Sequence, residues 1–332
     1  MSVRIAVATV VAAITLAAAA VTTRLVLGMG PTPPAGGVEI VVRDGDGLPD
    51  VATRLEGAGV IRSALAFRVS ARVSGRDRAI QPGLYRFTTA TDLRGVLAVL
   101  AAGTTAPEVT VPEGLTVRDV ATLLATRGYG DADAFLCLAD DPDFLLAAGV
   151  PGPRLEGYLF PDTYRFAAYL SPGEILATMV RRFQDRFDPE RRRRAAARGL
   201  SVDQVVTLAS IIEKETGLAS ERPLIAAVFA NRLRLGMPLQ SDPTVIYGIP
   251  SFNGDLTRAD LARPTPYNTY QIGGLPPGPI ANPGLSSIDA ALAPADSLAL
   301  YFVSRNDGSH EFSTTLAEHN RAVARYQHPA AP

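Results

Sequence analysis

The sequence predicts an α+β protein with an N-terminal transmembrane helix, a small βα subdomain and a larger mixed α+β domain. Three observations carry that prediction. Residues 5–23 hold no charged side chain, a strand–turn–helix pattern occurs twice in the first half, and beyond residue 154 the chain is dense in turn signals set among polar aromatic residues.

Residues 5–23 form a 19-residue uncharged run between Arg4 and Arg24, about long enough to cross a hydrocarbon core of roughly 30 Å as a helix. The small residues of Leu16-Ala17-Ala18-Ala19-Ala20 suit a signal-peptide cleavage site. The run nevertheless exceeds the usual signal core of about 7–15 residues. Residues 1–28 are therefore expected to be a signal anchor, with a cleaved signal as the alternative. No Cys follows the run closely enough to accept a lipid there. The remainder is then exported behind a Pro/Gly linker at residues 29–37, of low helical and strand propensity. About 300 residues are left, enough for two domains with real cores. With 32 basic and 33 acidic side chains the formal net charge is −1, which argues against nucleic acid or a bulk anionic surface as a partner.

Residues 38–42 and 109–111 read as strands, and each leads through a Gly turn, at Gly45 or Gly114, into an amphipathic helix ending near Gly57 or Gly128. Asp50-Val51-Ala52-Thr53 recurs as Asp119-Val120-Ala121-Thr122 at an offset of 69 residues, the offset that also separates the two glycines. A shared helix-start idiom without common ancestry is the alternative, because only this tetrapeptide is identical. Between the units, residues 80–87 read as a turn and strand and residues 93–100 as a helix. The expected boundaries are 38–106 for the subdomain and 107–332 for the larger domain, with the second βα unit at 107–150. Small Gly-turned units in an exported chain suit grip on an extended polymer.

The single Cys, Cys137, cannot form an internal disulfide and is expected to be a buried structural residue. His310, His319 and His328 all fall near the C-terminus, none at metal-ligand spacing from an Asp/Glu cluster. Zinc catalysis and a Ser-His-Asp triad are therefore unsupported, and no metal or other cofactor is expected. In Arg191-Arg192-Arg193-Arg194, acids precede the run and alanines follow it, so a solvated helix face is expected rather than a binding patch.

Ser201, followed three residues later by Gln204, is a capping-box signature ahead of an apolar run. Winding residues 205–216 at about 100° each centres the apolar stripe on Val205, Leu208, Ala209 and Ile212. Glu213 and Glu215 then fall on opposite shoulders while Lys214 points away. Lys214 is the only lysine; the other basic residues are all Arg. A compact ammonium placed between two carboxylates implies a site with little room. Either Glu could be half desolvated, which raises a carboxyl pKa towards that of a general acid, and periodicity leaves the choice open.

The larger domain carries a series of motifs in order: Leu155-Glu156-Gly157-Tyr158-Leu159-Phe160-Pro161-Asp162-Thr163-Tyr164, Ser210-Ile211-Ile212-Glu213-Lys214-Glu215-Thr216, Ala230-Asn231-Arg232-Leu233, Leu239-Gln240-Ser241-Asp242-Pro243-Thr244, Tyr267-Asn268-Thr269-Tyr270, and a Pro/Gly run over residues 273–284. This series resembles the YceG-like family of endolytic murein transglycosylases, and the resemblance covers the anchor, a LysM-like region at 38–106 and the whole C-terminal domain. It implies cleavage, without water, of the β-1,4 bond between N-acetylmuramic acid and N-acetylglucosamine in nascent glycan strands. One carboxyl then serves first as acid and afterwards as base.

The resemblance places that acid at Glu215, with Glu213 as the fallback and Lys214 in support. It implies substrate binding by Glu221, Asn231, Gln240, Asp242, Tyr247, Tyr267, Asn268, Tyr270 and Asn282. Amides there can bond hydroxyl and acetamido groups, and the Tyr rings offer flat faces. Asp242 before Pro243 also suits turn initiation, and Glu221 suits a cap or an Arg222 pair. The Pro/Gly run cannot be helix or central strand and is expected to form a rigid cleft wall. Expected partners are glycan strands, wall synthases and the cytoplasmic membrane, with the C-terminal domain on its outer side. A catalytically silent peptidoglycan-binding scaffold and a water-using muramidase are the competing readings. The scaffold does not need the two glutamates, and the muramidase needs a second carboxylate at about 5–9.5 Å.

Overall fold

The computed structural model describes residue 28 and residues 30–104 and 108–327. The expected apolar helix at residues 5–23 lies outside them. Among the described residues no single helix is long and apolar enough to cross a membrane. The chain divides into two compact units, Met1–Pro107 with Arg165–Tyr169, and Glu108–Tyr164 with Leu170–Pro332.

The first unit runs β1 (Val38–Val42), α1 (Leu48–Gly57), α2 (Ala64–Val73), β2 (Gly83–Phe87) and α3 (Leu93–Ala102). β1 and β2 pair antiparallel with Ile40 opposite Tyr85 and Val42 opposite Gly83. Alternation along the two strands turns Ile40, Val42, Tyr85 and Phe87 inward onto Val51, Leu55, Phe67, Val96 and Leu100.

The second unit opens with β3 (Glu108–Thr110), paired with β4 (Thr163–Arg165), and α4 (Val117–Thr126), α5 (Ala132–Ala139) and α6 (Pro142–Ala148). α7 (Pro172–Arg186), α8 (Pro189–Ala197), α9 (Val202–Glu215), α10 (Arg222–Arg234), α11 (Asp242–Tyr247), α12 (Arg258–Ala262) and α13 (Leu285–Leu292) follow. The hairpin β5–β6 (Tyr301–Ser304, His310–Ser313) and α14 (Leu316–Tyr326) close it. α9 is the central element: every residue from Val205 to Ile212 is buried, and α10, α11 and α13 pack around it. The class is thus mixed α+β, with each sheet only two strands wide among the described residues.

The repeated tetrapeptide has a local cause. α1 and α4 are both ten residues long and stand at the same offset of 69. Each follows a left-handed glycine, Gly45 at φ 86° and Gly114 at φ 77°, a conformation that a Cβ disfavours. In both, the recurring Asp accepts the N-cap N–H: Gly47 donates to Asp50 at 3.2 Å and Thr116 to Asp119 at 3.0 Å.

Three expectations change. Cys137 is exposed, not buried: Phe135 takes the core-facing position of α5, and two residues further a helix has turned by about 200°. Arg191 is not simply solvated. Its Nε and Nη2 hold Asp289 of α13 at 3.0 and 2.8 Å, tying α8 to α13. The Pro/Gly run at 273–284 is free of helix and strand, but residues 278–284 are buried and cannot form an open cleft wall. The Ile280 N–H donates to Ser210 Oγ on α9 at 3.0 Å and the Asn282 N–H to the Leu115 carbonyl at 2.8 Å. A Pro-rich segment lacks ladder bonds of its own, so it is satisfied by its neighbours.

Candidate active site

α9 begins as its sequence demands. Ser201 Oγ accepts the Gln204 N–H at 3.1 Å and Gln204 Oε1 accepts the Ser201 N–H at 2.9 Å. It ends where Thr216 turns extended, at φ −144° and ψ 138°, which leaves Glu213, Lys214 and Glu215 in a last turn that other elements must complete. The two carboxylates turn to different neighbours. Glu213 Oε1 pairs with Arg222 Nη2 at 3.0 Å and its Oε2 accepts the Gly284 N–H at 2.9 Å, with both side chains of the ion pair almost wholly buried. Glu113 Oε2 stands 3.7 Å from the same guanidinium. It lies so close over Gly284 that a Cβ there would meet Glu113 Oε1 at 1.9 Å, so any larger residue would have to push the Glu113 carboxylate aside.

Glu215 accepts a short hydrogen bond from Ser241 Oγ. Burial, reinforced by the charge of Asp242, pushes its carboxyl up to about 7, against the lowering effects of the Ser241 hydrogen bond and the Arg232 charge. Ser241 occupies the N-cap position of α11, yet its hydroxyl makes no cap. A Ser cap is ordinarily worth about 1 kcal/mol, and here the hydroxyl is turned to Glu215 instead. Its backbone is fixed by Thr269, whose Oγ1 accepts the Ser241 N–H at 3.0 Å and whose carbonyl accepts the Gln240 N–H at 3.1 Å. Gln240 is held at φ 51°, a left-handed conformation that a non-glycine residue adopts only under constraint. Arg232 supplies the constraint, donating to the Leu239 carbonyl at 2.7 Å and to Gln240 Oε1 at 3.4 Å. Asp242 is exposed beside the acid, as first residue of α11 rather than part of a turn, and accepts from Tyr270 OH at 2.7 Å.

Lys214 departs from expectation. It points away, as winding requires, but it is exposed and donates only to the Gly114 carbonyl at 3.2 Å, with no ion pair to either glutamate among the described residues. The cation that serves the motif is Arg222. A cavity of about 240 Å³ lies against this turn, lined by Glu113, Gly114, Glu213, Lys214, Glu215, Thr216, Gly217 and Arg222.

The other residues expected in a sugar groove divide. Gln240, Asp242 and Tyr270 gather near Glu215. Tyr247 and Tyr267, with ring centres 4.8 Å apart, line a second cavity of about 960 Å³ instead. Ser241 and Tyr247 bracket α11, so its two ends are roughly 9 Å apart at 1.5 Å per residue. Two amides are not available to a ligand, and a third has its NH2 engaged. Asn268 is fully buried and donates to the carbonyls of Asp260, Leu261 and Arg263, while accepting the Tyr270 N–H. Asn282, equally buried, donates to the Leu115 carbonyl and Glu156 and accepts the Leu159 N–H. The Asn231 amide NH2 is taken by the Ser297 and Ala299 carbonyls. Irregular backbone around the site leaves carbonyls without ladder partners, and these amides fill that need. Glu221 neither caps α10 nor pairs with Arg222. It accepts the His310 N–H at 2.8 Å and meets His310 Nδ1 at 2.7 Å, an encounter that spacing along the chain does not reveal.

The residues that sequence reading missed are Ser241, Arg232, Thr269, Arg222 and Glu156. Glu156 lines the second cavity, where burial pushes its carboxyl up to about 8 despite hydrogen bonds from the Val117 N–H and Tyr247 OH. Ser241 carried a signal, a helix-cap signature, but nothing local tells that its hydroxyl is diverted.

The profile of the YceG-like family matches residues 40–325. A protein named endolytic murein transglycosylase from Bacillus subtilis is 33% identical over 309 residues, which cover 87% of this chain and 84% of the relative. One of the same name from Streptococcus pneumoniae is 29% identical over 323 residues, and the match covers 87% of this chain but 58% of that longer relative. A crystal structure of a YceG-like protein from Listeria monocytogenes superimposes with a TM-score of 0.60 at 32% identity, covering 87% of this chain and 99% of the other.

Proposed function

The chain belongs to the YceG-like family, and from that premise we propose that it is a lytic transglycosylase cutting peptidoglycan glycan strands internally, with Glu215 as its acid and base. The observation that carries the role is the division of labour within the motif. Glu213 is committed to Arg222 and Gly284, which leaves Glu215 as the carboxyl poised near neutrality. In the first half of the reaction Glu215 gives its proton to the bridging oxygen as the bond from the anomeric carbon of N-acetylmuramic acid breaks. In the second, the 6-hydroxyl of the same sugar bonds to that carbon and returns its proton to Glu215. No water is consumed, and a 1,6-anhydro end results. Ser241 aims the carboxyl, and Gln240, Asp242 and Tyr270 border the reacting sugar. Tyr247 and Tyr267, at the far end of α11, hold a more distant part of the strand.

In this reading residues 1–28 tether the chain to the outer face of the cytoplasmic membrane, where wall synthases release new strands. The unit at 38–106, with its β–α–α–β core, is the LysM-like grip, and residues 107–332 form the catalytic domain. Mass spectrometry of products from purified strands tests the activity: anhydro ends are expected, and reducing ends would instead identify a hydrolase.

The pH profile tests the acid. Glu215 must carry its proton when the bond breaks, so cleavage falls as pH rises through about 7. The Ser241 hydrogen bond lowers that pKa, so Ser241→Ala moves the falling limb to higher pH. A limb that stays in place in this variant belongs to another group.

A further inference from the structure

The outward face of α2 takes no part in the site described above. Phe67 and Ala71 turn into the core of the first unit, whereas Leu65, Val69 and Val73 are 68, 54 and 85% exposed. Their spacing of four residues places them in one stripe, and winding at about 100° per residue puts that stripe on the side opposite Phe67 and Ala71. Three of the nine large aliphatic side chains left exposed among the described residues thus lie on one ten-residue helix, a patch rather than ordinary scatter. The same winding sets Arg72 among them, and Arg76 follows just past the helix end, after Gly75 at φ 67°. Residues 62–78 contain five arginines and one acid, Asp77, and Arg72, Arg76 and Arg78 are exposed.

An aliphatic stripe interleaved with guanidinium groups has the chemistry of a helix lying in a lipid interface, with acyl chains covering the stripe and head-group phosphates meeting the cations. The length of chain agrees. Residues 25–37 separate Arg24 from β1, and fully extended they reach at most about 45 Å. With residues 5–23 in the bilayer, which is the tethered reading adopted above, the first unit is confined within that distance of the head groups. We propose that α2 rests on the anionic membrane surface, burying Leu65, Val69 and Val73 at the acyl boundary and placing Arg72 and Arg76 on lipid phosphates.

Full-length protein carrying Cys137→Ser and Val69→Cys, labelled at residue 69 with an environment-sensitive fluorophore, tests this in vesicles of phosphatidylglycerol and phosphatidylcholine. A blue-shifted emission that brominated lipid quenches is expected, lost in pure phosphatidylcholine, at high salt, and in Arg72→Glu/Arg76→Glu. Water-like emission in anionic vesicles, or equal quenching in neutral ones, overturns the proposal. So does a blue shift that brominated lipid leaves unquenched, because a second protein copy then covers the stripe. Carbonate extraction reports the tether separately. If the protein is released, flotation with anionic vesicles still decides the helix: a drop of at least about tenfold in Arg72→Glu/Arg76→Glu upholds it, and unchanged flotation overturns it.

Discussion

Glu215→Gln is expected to cut strand cleavage by about 10²–10⁴-fold while the protein melts as the wild type does. The amide keeps the shape of the carboxyl, and its oxygen can still accept from Ser241, but it can neither release nor retake a proton. Anhydro-end formation measured by mass spectrometry, beside a thermal melt, reads both halves of the statement. Near wild-type cleavage by Glu215→Gln, together with a folded but inactive Glu213→Gln, would reverse the roles within the motif.

Glu213→Ala acts instead on stability. Arg222 is buried, its Nε already has no hydrogen-bond partner among the described residues, and Glu213 is its close counter-charge. Removing one member of a buried pair costs about 3–5 kcal/mol, because the other charge stays behind without compensation. For a unit of this size that corresponds to a fall in Tm on the order of 10 °C. Glu113, half-exposed at 3.7 Å, offsets only part of the loss. Replacing Arg222 as well, by Leu, removes the stranded charge and should recover much of the melting temperature. An unchanged Tm in Glu213→Ala alone would mean that Arg222 regains water freely and that the pair holds nothing together.

The course of α9 was legible in the sequence because its causes are local: a cap three residues from its partner and an apolar run with helical period. The repeated Asp-Val-Ala-Thr was legible for the same reason, since each Asp serves the N-cap beside it. The choice between Glu213 and Glu215 was not. Winding treats the two shoulders alike, and what separates them comes from Arg222, Ser241 and Gly284, which lie 9, 26 and 71 residues from their partners. The asparagines mislead by a related route. An amide in a turn-rich stretch suits a ligand and an orphan carbonyl equally well, and only burial shows that Asn268 and Asn282 serve the protein itself. Lys214 misleads through rarity, because being the sole lysine says nothing of what surrounds it.

The bonds of Asn282 also bear on how the chain folds. Its side chain reaches Leu115 and Leu159, 167 and 123 residues earlier in the chain, and such distant closures are slow to form. Synthesised from the N-terminus, the sheet of the first unit is complete once Phe87 has emerged, but the second unit stays open until residue 282. At about 5–20 residues per second, the roughly 120 residues after Tyr164 take on the order of 10 s. From Glu215 until α13 begins at Leu285, about 70 residues and on the order of 5–10 s at that rate, the apolar run of α9 has no α13 to cover it. The second unit is thus the part of the newborn chain whose core closes last, after the Arg165–Tyr169 segment has completed the first.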